Sequence, residues 1–206
     1  MPDKTLKENN HHSDKFNIIL SKLILESIFP YQFICSDKPD LQDIKNNIGF
    51  EVTQANNKEI ESLWVKYRNE ENEKKKEKLK EVIYKKSNNT AKFDDILLTQ
   101  YHKYNWNTPT EVFVSKLDKL QKNYKVFNSN NLIIIYEGFI ALPGYLENLL
   151  KSFIVEQTSF SKKFDTVVIA SNQVYIFKLN QMNIENIHLD IDKFRIDANN
   201  IIKGEN

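Results

Sequence analysis

The sequence predicts an α/β fold built around a mixed sheet, and three observations predict it. Ile48 to Gln54 alternates, with Ile48, Phe50 and Val52 on one side and Gly49, Glu51 and Thr53 on the other, as a half-buried strand does. Leu132 to Tyr136 is a continuous apolar, β-branched run, the pattern of a strand covered on both faces. Between and around these strands lie stretches with apolar residues at helical spacing. Strands interleaved with such helices pack as helices on a sheet.

The chain has 206 residues, which fits one domain or one domain carrying an insertion. Hydrophobic residues make up 40%, enough for a packed core and against wholesale disorder. The single cysteine, Cys35, excludes a disulfide framework and a Cys-rich zinc module. No apolar run approaches the roughly 20 residues that span a bilayer. The stretch from Met1 to Asp14 is polar and holds no apolar signal region, so a cytoplasmic protein without membrane contact is expected. Residues 1–12 read as a disordered tail and 13–206 as a single α/β domain with a helical insertion at about 58–108.

Taken in order, Ser13 reads as an N-cap, and Phe16, Ile19, Leu20, Leu23, Ile24 and Leu25 give helical spacing up to Phe29, where Pro30 follows. Tyr31 to Ser36 and Leu41 to Ile44 are rich in strand formers, and Lys45-Asn46-Asn47 reads as a turn into the alternating strand. Cys35 is expected as a small buried hydrophobe of the first strand. Lys58 to Lys86 reads as one long, charged, solvated helix, and Phe93 to Tyr101 as a short further helix. Asn105 to Pro109 reads as a loop with Thr108 as a cap. Glu111 to Lys125 follows as an amphipathic helix with Val112, Phe113, Leu117, Leu120 and Tyr124 inward. Asn128 to Asn131 turns the chain into the buried strand, and Pro143 to Gln157 is a further core helix. Phe164 to Ala170 and Val174 to Leu179 form a hairpin through Ser171-Asn172-Gln173, and the mixed tail holds a strand near Ile184 to Leu189. His102 and His188 have no nearby partner of ligand type and read as ordinary surface histidines.

Charge narrows the function classes. There are 29 basic and 28 acidic residues, a net charge of +1, and all but Arg68 and Arg195 of the basic ones are lysines. A broadly basic surface is therefore excluded, and any nucleic-acid binding rests on a local patch and a metal.

The chemistry-bearing stretch is Asp37 to Gln54. Pro39-Asp40 opens one strand and Glu51 sits eleven residues later on the next. If the two strands form a hairpin, the carboxylates of Asp40 and Glu51 meet at one sheet edge, as Mg²⁺ requires with its oxygen ligands. Asp37 is an alternative to Asp40.

Pro39-Asp40 followed by Glu51-Val52-Thr53, within the order helix, three strands, helix, strand, resembles the PD-(D/E)xK nuclease superfamily over about Ser13 to Tyr136. The resemblance implies a restriction-endonuclease-like mixed sheet flanked by helices, and a metal-dependent nuclease hydrolysing DNA phosphodiester bonds. It implies Mg²⁺ or Mn²⁺ held by Asp40, Glu51 and the carbonyl of Val52, with Glu26 of the first helix as a further ligand. It departs from the family at Thr53, which stands where the motif lysine is expected and carries no charge. Lys116, Lys119 and Lys122 lie on the next helix, which in that fold faces the site, and Lys116 is the first choice for a relocated lysine. Gln121-Lys122-Asn123-Tyr124 resembles the Gln/Tyr motif of RecB-like exonucleases with one residue too few. The expected catalytic set is Asp40, Glu51, Thr53 and Lys116.

The expected partner is DNA, with RNA as the alternative; a homodimer or a protein partner stays open. The alternative function is a catalytically inactive protein of the same fold that binds nucleic acid or a protein in a regulatory or phage-defence setting. A third reading makes the charged helix an oligomeric arm, but its irregular apolar spacing argues against a heptad seam.

Overall fold

The computed structural model describes residues 4–55, 63, 66, 67, 69–86, 107–122, 127–136 and 144–204. Their centre is a seven-stranded mixed sheet whose strands lie side by side in chain order. Strands β1 (Ile34–Cys35), β2 (Leu41–Asp43) and β3 (Ile48–Gln54) form an antiparallel meander. Strands β4 (Ser129–Ile135) and β5 (Thr166–Ala170) run parallel to β3. Strand β6 (Val174–Lys178) pairs antiparallel with β5, and β7 (Asn183–Ile187), after a 3₁₀ turn at Leu179–Gln181, pairs antiparallel with β6. The coarse α/β class read from the sequence is what the chain adopts.

Helices cover both faces. Helix α1 (Lys4–Ile28) buries Leu20, Ile24 and Leu25 against Phe50 and Val52 of β3 and Ile133 and Ile135 of β4. The C-terminal helix, labelled α5 here (Ile191–Lys203), packs on the same face beside α1 through Ile191 and Ala198. On the other face, α3 (Asn107–Gln121) and α4 (Tyr145–Glu156) bury Phe113, Leu117, Leu120, Leu149 and Phe153 over Leu132, Ile134, Val167 and Phe177. With helices on both sides, Leu132 to Ile135 of β4 and Val167 to Ala170 of β5 are apolar and buried, as the central part of parallel strands in a covered sheet is. Helix α2 (Glu73–Lys86) is charged outward but anchors itself with a fully buried Ile83. No helix among the described residues is long and apolar enough to cross a membrane.

Several boundaries differ from the expectation. The expected disordered tail is largely helical, because α1 starts at Lys4 and runs through Ser13: no proline or glycine interrupts it. The single helix expected over 58–86 is broken before Glu73. There the Asn72 side chain accepts the Lys75 N–H at 3.2 Å and caps α2, the role a short amide side chain prefers to helix interior. Helix α3 begins at Asn107, so most of the expected 105–109 loop is helix, and Pro109 is accommodated in its first turn. Strand β4 starts at Ser129, inside the expected turn, because β3 offers a full parallel partner from Ile48 onward. Cys35 is exposed on a two-residue edge strand instead of buried. The α5 helix was not expected at all, although Asp190 caps it, accepting the Lys193 N–H at 3.1 Å, and Gly204 ends it at φ 73°. The helix expected over 93–101, and the residues His102 and Tyr124, lie outside the described residues.

Candidate functional site

The site forms where β2 stops. The pairing of β2 with β3 begins at Leu41 opposite Phe50, while β3 runs on to Gln54. In that register Asp40 would face Glu51 and Pro39 would then face Val52, and proline has no N–H to give to the ladder. The backbone N–H and C=O of Val52 on that edge are therefore free for side chains. Asp40 Oδ2 accepts the Val52 N–H at 2.8 Å. The Lys116 ammonium donates to the Val52 carbonyl at 3.0 Å and to Glu51 Oε1 at 2.5 Å. A proline that ends one strand thus exposes the edge on which two carboxylates, one carbonyl and one lysine converge.

Each of these groups is held by its element. Glu51 projects from β3 on the side of Leu132, under α3. Lys116 lies between the buried Phe113, Leu117 and Leu120 on α3, at the flank of the buried stripe that overhangs β3. Its side chain is 14% exposed and that of Glu51 7%. The loop before β2 is latched: Ser36 N–H donates to Asp40 O at 2.8 Å, and the buried Gln42 amide donates to Ser36 Oγ at 2.7 Å and Pro39 O at 3.2 Å. The Pro39 ring lies on Gly49, where a Cβ would come within 2.5 Å of Pro39 Cγ and 3.0 Å of Phe127 Cδ2. Gly49 is thus what lets Pro39, and with it Asp40, approach β3.

Burial, and then the neighbouring Glu51 carboxylate, push the Asp40 carboxyl up to about 6, while the Val52 N–H and the Lys116 ammonium pull the other way. Glu51 Oε2 is buried with no hydrogen-bond partner among the described residues. A buried carboxylate oxygen left in that state is costly and suits an added cation. The donor set (two carboxylates and a backbone carbonyl) is all hard oxygen, which fits Mg²⁺ or Mn²⁺.

Other expected residues fall elsewhere. Glu26 does not join Asp40 and Glu51: its Oε1 accepts the Phe33 N–H at 2.8 Å and lies 3.8 Å from Lys22 Nζ. It sits on α1, which packs on the Phe50 and Val52 face, whereas Glu51 points to the opposite face. Among the described residues, no three acidic, histidine or cysteine side chains gather as a metal-binding group. The Asp37 carboxylate is 93% exposed and only loosely paired with Lys38, so Asp40 is the acid that reaches the strand. Thr53 is half-buried on the Glu51 side of β3 but makes no side-chain hydrogen bond among the described residues. Lys119 and Lys122 are exposed. Gln121 is committed to another loop, donating to Lys162 O at 2.9 Å and accepting from Lys162 N–H at 3.1 Å, which removes it from the expected Gln/Tyr role. Gln42 and Phe127 were not singled out from the sequence; Gly49, a glycine inside a strand pattern, was a legible sign of close approach.

Compared with protein-family models, curated proteins and solved structures, the chain finds no match.

Proposed function

We propose that the chain is a divalent-metal-dependent nuclease of the PD-(D/E)xK kind, with a restriction-endonuclease-like arrangement, that hydrolyses DNA phosphodiester bonds. The observation that carries the reading is the convergence of Asp40, Glu51, the Val52 carbonyl and Lys116 on one unpaired strand edge. The order of the sheet, an antiparallel three-strand meander followed by β4 parallel to β3, is compatible with it.

Asp40, Glu51 and the Val52 carbonyl would hold Mg²⁺ or Mn²⁺, which supplies charge neutralisation at the phosphate and a nucleophilic water at neutral pH. Glu51 holds the Lys116 ammonium in place, and the Val52 carbonyl fixes its direction. Lys116 thereby takes the position that Thr53 cannot fill, a positive charge beside the carboxylates that stabilises developing negative charge on phosphate oxygens. The Val52 N–H orients Asp40 and favours its ionised form.

One observation favours a non-catalytic binder of nucleic acid or protein instead: the Lys116 ammonium already neutralises Glu51 and occupies the Val52 carbonyl. The same experiment separates the two. Supercoiled, linear and single-stranded DNA, and RNA, are incubated with Mg²⁺ or Mn²⁺, and thermal melting is followed with each ion. Metal-dependent cleavage that falls at least ~100-fold in Glu51→Gln and Asp40→Asn is expected. Absence of cleavage of every form, with no ion-dependent rise in melting temperature, leaves the non-catalytic reading.

A further inference from the structure

Four lysines outside the cluster are brought together at one end of α3. Lys119 and Lys122 are exposed, and neither they nor Lys162 and Lys163 form an ion pair among the described residues. On a helix of about 100° per residue, Lys119 lies about 60° round from Lys116, and Lys122 about 60° further, both away from the buried stripe. Lys116 marks the flank of that stripe over β3, and Gln121 marks the other flank.

Gln121 uses its whole amide to dock the 161–163 loop there. It donates to Lys162 O at 2.9 Å and accepts from Lys162 N–H and Ser161 Oγ, each at 3.1 Å. Its amide also reaches the Leu117 carbonyl at 3.0 Å, tying the loop to the helix backbone. Positive charge therefore runs from Lys116 over the outer side of α3 through Lys119 and Lys122, and beyond the exposed Asp118 it resumes at Lys162 and Lys163 on the Gln121 flank. Asp118 is the one acidic residue of the helix between Lys116 and Gln121. In a chain of net charge +1, such a run is a local concentration of one sign.

We propose that this band, the outer side of the α3 C-terminus with the docked Lys162–Lys163 loop, grips the phosphodiester backbone of duplex DNA next to the cluster. Charge complementarity selects the occupant: uncommitted ammonium groups spaced along a surface suit a regular polyanion. The spacing agrees. Lys116 to Lys122 spans about 9 Å of helix rise, between two and three base-pair steps of about 3.4 Å. The lysines hold backbone and read no base, so binding is independent of sequence. The proposal rests on the nuclease reading only for placing a scissile phosphate at the cluster.

The test is a salt titration. Binding of a short labelled duplex is measured by fluorescence anisotropy in EDTA between about 50 and 200 mM salt. The proteins are the wild type, Lys119→Gln/Lys122→Gln, Lys162→Gln/Lys163→Gln, the quadruple variant, and Lys193→Gln, an exposed lysine of α5 on the other face. The slope of log affinity against log salt should fall by roughly 2 in each double variant and by 3 to 4 in the quadruple, and stay unchanged in Lys193→Gln. Unchanged melting temperatures show that the folds survive, and either double variant alone decides the matter if the other misfolds. A quadruple variant with the wild-type slope, a wild type that binds no duplex, or duplex binding no tighter than that of polyglutamate overturns the proposal, the last assigning the band to acidic protein. Lysine-dependent binding without cleavage in Mg²⁺ or Mn²⁺ keeps the band and removes the nuclease reading. Cleavage with undiminished binding in the quadruple variant does the reverse.

Discussion

The two ends of the sheet are built on opposite terms. From β5 to β7 every strand is five residues long and paired along its whole length. The end that starts at β1 has strands of two and three residues, and its ladder stops at a proline. Between β5, β6 and β7 the facing backbone groups are satisfied along the whole of each ladder. The incomplete end satisfies two groups of Val52 with Asp40 and Lys116. Polar side chains gather where the sheet leaves backbone groups for them, and chemistry needs such places.

The two lysine–glutamate pairs on these ends sharpen the contrast most. Lys116–Glu51 is buried, whereas the Lys178–Glu185 cross-strand pair is 33% and 41% exposed. Lys116→Met should cost about 3–5 kcal/mol, because it strands a buried carboxylate. Lys178→Met should cost at most about 1 kcal/mol. Urea denaturation of both variants checks this; comparable losses would show that the two ends do not differ.

Gly49→Ala tests the close approach at the incomplete end. A Cβ 2.5 Å from Pro39 Cγ must push the ring and displace Asp40. A loss of about 1–3 kcal/mol is expected, together with a fall in any cleavage activity. A variant as stable and as active as the wild type would show that Pro39 is not held by Gly49.

The next effect is a pH dependence. Asp40 is held at about 6, above its ordinary 3.8, so the folded state binds its proton more tightly than the unfolded chain does. The favourable contribution is complete below about pH 4 and is lost as pH rises through 6. Ionised Asp40 then costs on the order of 2 kcal/mol, after allowing for its partial exposure. In metal-free protein, Asp40→Asn should recover that stability at pH 8 and change little at pH 4. Equal effects at the two pH values would remove the argument that the carboxyl is destabilised by burial and by Glu51.

The smallest effect belongs to the other face. Asp190→Ala removes the cap of α5 and should cost about 1 kcal/mol, read as a shift of the urea midpoint. Cleavage should be untouched, since α5 packs with α1 away from the Glu51 side.

Legibility followed how local the signal is. Strand β3 was read residue for residue, because alternation between a helix-covered apolar side and a polar side is written in seven consecutive residues. The β5–β6 hairpin and the inward Phe113, Leu117 and Leu120 of α3 were equally plain. The α5 helix is the exception: it was missed although its signal is local, with Ile191, Phe194, Ala198, Ile201 and Ile202 at helical spacing between the Asp190 cap and Gly204. Cys35 was placed inside because strand formers surround it, but a two-residue edge strand has no second layer to bury it.

The sequence by itself determined the α/β class, the bounds and alternation of β3, and the placing of Asp40 at the start of one strand segment and Glu51 on the next, since periodicity and spacing are local properties. It also supplied Lys116, Lys119 and Lys122 on one helix, with Lys116 as the first choice. In the tertiary structure, packing of Phe113, Leu117 and Leu120 turns Lys116 onto Glu51 and leaves Lys119 and Lys122 in solvent. It likewise sent Glu26 to the Phe33 N–H and Gln121 to the Lys162 loop. Which polar side chain meets which partner depends on the angle and height at which a helix crosses the sheet, and those are decided by its buried side, not by the polar residues themselves.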